Sequence, residues 1–139
     1  MLMGELLTLR QLRLPVKIVM LDNSALGFVE LEMKADGIVN YGTDLENPDF
    51  AAVARAVGIH GIRVDKPRQL EDALRDAFAH PGPALVDVRT LRQEVAIPPR
   101  IALHEAAGFT LWATRTVLNG DASAVLDVAR TNLRQLARE

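Results

Sequence analysis

The stretch Val16-Lys17-Ile18-Val19-Met20-Leu21-Asp22-Asn23-Ser24 decides the fold. A mostly apolar, β-branched run passes straight into a polar turn cluster. That pattern predicts a strand buried on both faces, the kind found inside parallel sheets. Pro15 breaks the chain just before it. Upstream, Leu2, Leu6 and Leu9 recur at helical spacing and predict a helix over 2–13. No cap residue precedes this helix, so the element is expected to continue something further upstream.

Working outward, residues 25–34 read as a short helix, followed by a polar loop through Asp36-Gly37, Asn40 and Gly42. Pro48 falls in the first turn of a helix that Asn47 would cap, with Ala51, Ala52, Ala54 and Val57 after it and Gly58 at its end. Ile59 to Val64 is a strand. Pro67 opens a helix with Leu70, Ala73, Leu74 and Phe78 on one face, His80-Pro81-Gly82-Pro83 stops it, and Ala84 to Val88 is a strand again. Strands alternating with helices of this length make parallel βαβ units, hence an α/β fold with a doubly wound parallel sheet. Such sheets bind ligands at the carboxyl ends of their strands. After Thr90 the pattern changes. Pro98-Pro99 marks a linker, and two helices follow over 104–118 and 121–137, split by Asn119-Gly120. The expected division is therefore an α/β domain over 1–97 and a linker with a C-terminal helical tail over 98–139.

The 139 residues fit one domain, and 49% apolar with 24% charged residues supports an ordinary core. A net charge of -2 lacks the basic excess of a phosphate-binding domain, so no nucleic acid partner is expected. The absence of cysteine excludes disulfides and thiolate metal sites. No apolar run approaches the roughly 20 residues of a membrane span. The opening Met1-Leu2-Met3-Gly4-Glu5 has neither the basic region nor the cleavage site of a signal peptide.

Chemistry is expected where the first strand ends. Mg²⁺ prefers oxygen ligands and shares phosphates readily, and the Asn23 side chain with a nearby carbonyl offers two such oxygens. Read alone, Asn23 is first a turn residue satisfying backbone groups and only second a metal ligand. The wider stretch from Leu14 to Val29 resembles the second half of the thiamine-diphosphate motif, in which an Asn-Asn pair closes a strand downstream of a Gly-Asp-Gly. The resemblance is to pyruvate oxidases and ubiquinone-linked pyruvate dehydrogenases. It continues through Glu32-Met33-Lys34, Gly58 to Val64, Pro83 to Val88, Ala96-Ile97-Pro98-Pro99 and Ala129 to Asn132.

Carried over residue by residue, the resemblance implies that Asn23 is a side-chain ligand of Mg²⁺ and that Ala25 gives its backbone carbonyl. Leu26, Gly27 and Phe28 would lie along thiamine diphosphate, with Phe28 beside the reactive carbon in a catalytic role. A core position on a short helix is the other reading of Phe28. Asp22 stands where the family has the first Asn, which leaves its hydrogen bonding open, because a carboxylate accepts where an amide also donates. The Gly-Asp-Gly, the activating Glu and the FAD site of the family have no counterpart in the chain, so the fold is expected to be incomplete at its N-terminus and inactive alone. Val29 stands where related decarboxylases place a Glu. An apolar residue cannot deliver a proton, which suits an enzyme passing electrons to flavin.

The implied activity is oxidative decarboxylation of pyruvate with thiamine diphosphate, Mg²⁺ and FAD, with ubiquinone or oxygen as electron acceptor, in a homo-oligomer. A non-catalytic module acting through oligomerisation and an acetolactate-synthase-like parent are the alternatives. The implied location is cytoplasmic, peripheral on the inner face of the cell membrane. The contact would be the C-terminal helix, where Ala122, Val125, Leu126, Ala129, Leu133 and Leu136 share one side and Arg130, Arg134 and Arg138 another, behind Asp121 as N-cap. On sequence alone the same pattern reads first as a helix docked on its own domain, and Asp121, Asp127 and Glu139 offset the arginines. His60, His80 and His104 have no metal-ligand spacing and read as surface or loop residues. Glu30 and Glu32 read as a solvated helix face, and Gly58, Gly61 and Gly82 as caps and turns.

Overall fold

The computed structural model describes residues 3–92 and 103–136. Six α-helices, one 3₁₀ turn and three strands follow in the order α1 (Glu5–Leu12), β1 (Lys17–Asp22), α2 (Gly27–Ala35), α3 (Phe50–Ala56), β2 (His60–Val64), the 3₁₀ turn (Pro67–Gln69), α4 (Leu70–Ala79), β3 (Ala84–Arg89), α5 (Leu103–Leu118) and α6 (Ala122–Leu136). These elements form two compact units: Met1–Asn23 with Glu46–Thr90, and Ser24–Leu45 with Leu91–Glu139. The expected linker at Pro98-Pro99 lies outside the described residues, as do the side chains of His104, Leu133, Arg134 and Leu136 and the whole of Arg138.

The first unit is a parallel sheet in the order β1-β3-β2. Ala84 on β3 is level with Lys17 on one side and His60 on the other. The central strand is buried on both faces, and alternate residues feed two cores, as a pleat requires. Ala84, Val86 and Val88 join Val64, Ala73 and Ala77 under α4. Leu85 joins Leu6, Ala54 and Ile59 under α1 and α3. Helices on both faces make this the doubly wound α/β arrangement.

Three local expectations are corrected here. β1 is an edge strand, and only its Ile18 face is covered. Val19 and Leu21 point the other way and stand exposed, Leu21 by 70%, because α4 lies against β2 and β3. Asp49, not Asn47, caps α3, its carboxylate accepting from the Ala52 N–H at 2.8 Å. Phe78 is exposed, and Ala77 takes the buried position on α4.

The second unit packs α2 against α5 and α5 against α6. Trp112 and Thr116 of α5 are buried, and the Arg115 guanidinium donates to the Gly37 carbonyl at 2.7 Å. Asp121 caps α6 as expected, accepting from the Ala124 N–H at 3.1 Å. Leu126 on the expected apolar stripe is 53% exposed, while Val125 is half-buried. No described helix is long and apolar enough to cross a membrane.

In each unit a glycine stands where backbone meets backbone. Gly61 sits inside β2, not in a turn, and a Cβ there would lie 2.2 Å from the Ala51 carbonyl oxygen of α3. Gly108 of α5 would place a Cβ 1.5 Å from the Ala35 carbonyl oxygen at the end of α2. Neither obstacle is a side chain that can swing aside. Gly61→Ala is therefore expected to destabilise the chain by about 1–3 kcal/mol or more, the cost of overpacking. Urea denaturation of the variant checks this, and an unchanged midpoint would mean that α3 moves away freely.

Candidate functional site

The carboxyl end of β1 is built on a buried charge. Asp22 is 4% exposed. Its Oδ1 accepts from Asn47 Nδ2 at 2.8 Å and its Oδ2 from the Arg89 guanidinium at 3.0 Å. Both partners are donors, so a carboxylate suits the position and the hydrogen bonding left open by the sequence is accounted for. The Asp22 carbonyl accepts from the Thr90 N–H at 2.9 Å, which extends the β1–β3 ladder by one step. Asn23, the first of the expected ligands, follows directly and is half-buried.

In the same unit, Asp87 is the one charged residue in the central strand's buried run. It is fully buried. Its Oδ2 accepts from the Phe50 N–H at 3.2 Å and lies 3.7 Å from Arg63, while its Oδ1 has no hydrogen-bond partner among the described residues. Burial pushes its carboxyl pKa up, Arg63 and the α3 N–H groups pull it back, and the charge of Asp22 raises it again. Sequence reasoning passed over this residue, although a charge inside an apolar strand was the visible signal.

The second unit carries the other expected site residues. Ala25 is buried and bridges to Asp44 in antiparallel fashion. The Leu26 N–H donates to the Thr43 carbonyl at 2.9 Å, and the Leu45 N–H to the Ser24 carbonyl at 3.0 Å. Leu26 is the N-cap of α2 and brings no side-chain cap. Gly27 and Phe28 are the helix's first two residues. Leu26, Phe28 and Val29 are 45%, 75% and 44% exposed, so Phe28 is not a core aromatic.

Glu30 corrects the expectation of a solvated face. Glu32 is exposed, but Glu30 is 1% exposed. Residues two apart on a helix point to nearly opposite sides, so the two could not share an environment. Glu30 Oε1 accepts from the Thr43 hydroxyl at 3.0 Å and from Arg92, and Oε2 lies 3.5 Å from Lys34. Arg92 also pairs with Asp44. Lys34, whose ammonium sits 5.3 Å from the Trp112 ring centroid, has its pKa lowered by burial and partly restored by Glu30. The four-residue spacing of Glu30 and Lys34 was the available signal.

Among the described residues, no group of three or more His, Cys, Asp and Glu side chains is arranged to hold a metal. His60 instead pairs with Asp76 at 3.0 Å and stacks on His80 with centroids 4.7 Å apart. The arrangement does fit a diphosphate that brings its own metal. The head of α2 has no side-chain cap, and helix N–H groups there attract phosphate. Its nearest carboxylate, Glu30, is turned inward and neutralised, so it does not repel an anion.

Residues 1–88 match the family described as thiamine pyrophosphate enzyme, C-terminal TPP binding domain. YdaP of Bacillus subtilis, whose name ascribes thiamine pyrophosphate to it provisionally, is 36% identical over 112 residues, covering 81% of this chain and 19% of its own length. The mitochondrial acetolactate synthase of Schizosaccharomyces pombe is 33% identical over 105 residues, 73% of this chain and 16% of that protein. The large subunit of acetolactate synthase isozyme 2 of Escherichia coli is 40% identical over 86 residues, 60% and 16% respectively. The chain thus spans about a fifth or less of the length of these relatives. None of the three names is that of a pyruvate oxidase.

The raised pKa of Asp87 has a consequence for stability. A carboxyl whose folded pKa lies above its unfolded value contributes stability at low pH that is lost as pH rises through the folded pKa. Relative to Asp87→Asn, the unsubstituted chain is therefore expected to gain stability as pH falls from 7 towards 4. Parallel urea titrations across that range check the sign, and a gap that stays constant with pH would mean that Asp87 does not titrate as its burial requires.

Proposed function

The chain belongs to the thiamine pyrophosphate enzymes, through their C-terminal cofactor-binding domain, and on that premise we propose that it holds thiamine diphosphate and Mg²⁺ in an enzyme that oxidatively decarboxylates pyruvate and passes the electrons to FAD. Bound there, thiamine diphosphate supplies the carbanion chemistry for breaking a bond beside a carbonyl carbon. The chain's own residues bind and orient. Asn23 and the Ala25 carbonyl hold the metal, the backbone at Leu26 and Gly27 faces the diphosphate, and Phe28 shields the reacting centre from water.

The observation that carries the oxidative reading is the apolar head of α2. Leu26, Phe28 and Val29 are exposed there, and the adjacent acid, Glu30, is buried and paired. No side chain of this turn is placed to deliver a proton, which disfavours a decarboxylase that protonates its intermediate and is compatible with both oxidation and carboligation. A second reading, an acetolactate-synthase-like enzyme, is favoured by the names of two of the relatives.

Membrane contact through residues 121–139 is part of the same proposal. Exposed Leu126 and half-buried Val125 leave an apolar side on α6. Charge attraction adds little, because Arg130 faces Asp127 at 3.8 Å. In vesicle co-sedimentation of the full-length protein, a variant ending at Gly120 is expected to bind less than the intact protein. Equal binding would make the tail purely structural.

Activity separates the two catalytic readings. The 139-residue chain alone is expected to give no pyruvate-dependent dye reduction with Mg²⁺, thiamine diphosphate and FAD supplied, and the full-length protein that carries it to give saturable reduction. Acetolactate without dye reduction would select the second reading. In the full-length protein, Asn23→Ala is expected to raise the half-saturating Mg²⁺ concentration by about 10–100-fold, the range seen even for residues that only support a metal ligand. Unchanged Mg²⁺ dependence would reduce Asn23 to a turn residue.

A further inference from the structure

We infer that Thr43 and Arg92, acting through the buried carboxylate of Glu30, are positioning residues for the turn Ala25–Phe28. The inference rests on the reading of that turn as the cofactor-facing segment, and it assigns work to three residues that the resemblance left without any.

The turn is held from several directions, all within the second unit. Ala25 bridges to Asp44, and the Leu26 N–H donates to the Thr43 carbonyl. Ser24 accepts from the Leu45 N–H. Residues 43–45 therefore form a short backbone splint along 24–26. The splint and the helix are then joined by side chains. The Thr43 hydroxyl donates to Glu30, in the first turn of α2, and Arg92 spans Glu30 and Asp44. Thr43 is 2% exposed, so its hydroxyl is not competing with bulk water for the carboxylate.

The consequence is directional. Thr43 holds Leu26 by its backbone and Glu30 by its side chain, and Leu26 and Glu30 are themselves linked through the Glu30 N–H to the Leu26 carbonyl at 3.0 Å. That closed loop fixes the angle at which α2 leaves the splint. It thereby fixes where the Ala25 carbonyl and the N–H groups of Gly27 and Phe28 point. Arg92 supplies the charge that lets a carboxylate be the hub. A buried carboxylate stripped of one partner is costly, so the turn and the charge pairs stand or fall together.

The chemistry asks for this. A carbonyl is a weak Mg²⁺ ligand that must be presented along a fixed line, because Mg²⁺ tolerates little departure from octahedral geometry. Leu26, the N-cap of α2, has no polar side chain to cap the helix, so the usual device is not available at that position. Glu30, one turn along and facing inward, does that work from below while leaving the helix end clear.

The test compares amide hydrogen exchange in the 139-residue chain, unsubstituted and as Thr43→Val, Thr43→Ser and Arg92→Met. The informative amides are Leu26, Glu30 and Leu45, because each is bonded within the loop just described. In Thr43→Val and Arg92→Met these are expected to exchange more than tenfold faster, while the amide of Val86 in the other unit changes less than twofold. Thr43→Ser, which keeps the hydroxyl, is expected to restore slow exchange. No change, or an equal acceleration at Val86, overturns the inference, the latter by showing general destabilisation. The second arm uses the full-length protein. Arg92→Met is expected to raise the half-saturating Mg²⁺ concentration at least fivefold with little change in substrate KM. An unchanged Mg²⁺ requirement overturns the link to the cofactor. If the unsubstituted protein needs neither Mg²⁺ nor thiamine diphosphate, the proposed function fails, and the exchange arm still decides whether these residues hold the turn.

Discussion

A carboxylate taken out of water must be given donors or a proton, and this constraint sets the local structure wherever chemistry is expected in the chain. Three buried acids meet it in three ways. Asp22 accepts from Asn47 on one oxygen and from Arg89 on the other, and so ties the loop before α3 and the end of β3 to the end of β1. Glu30 gathers Thr43, Lys34 and Arg92 around the head of α2. Asp87 has one oxygen on the Phe50 N–H and the other without a hydrogen-bond partner among the described residues, and its pKa is raised, chiefly by burial. Without those partners none of the three positions would be tolerable, and the turns they anchor would have no fixed course.

The apolar framework was legible because it depends on near neighbours along the chain. β3 was readable as a strand, and its alternating residues feed two cores. The ends of the helices were readable where glycine, proline or aspartate stands at a cap, as Asp121 does. Failures came where a residue's environment is set by something distant. Val19 and Leu21 look like core residues, and only the position of α4 over the other two strands leaves them uncovered. Asn47 looks like a cap, and Asp22, 25 residues earlier, claims its side chain instead. Gly61 looks like a turn residue, and the carbonyl of Ala51 explains it.

The candidate site was legible in one half of its logic. The resemblance pointed to Asn23, Ala25, Leu26, Gly27 and Phe28, the residues that would touch the cofactor. It was silent on what holds them, because Glu30 and Thr43 are 13 residues apart and Glu30 and Arg92 are 62 apart. A ligand motif can be matched along a line, whereas its support is assembled in space. Membership of the thiamine pyrophosphate enzymes therefore names a cofactor and a cradle. The chain spans about a fifth of the length of these relatives.

Asp22 shows how such a departure from a family pattern can be absorbed. An amide at this position would present one acceptor and one donor, and the donor would face either Asn47 Nδ2 or the Arg89 guanidinium, both donors themselves. A carboxylate removes that conflict and adds a negative charge at the end of β1. The charge is not left standing. Arg89 neutralises it on the spot, and what remains is felt by Asp87, whose protonated form it favours. The two acids therefore relieve each other by different means, one paired and one pushed towards neutrality.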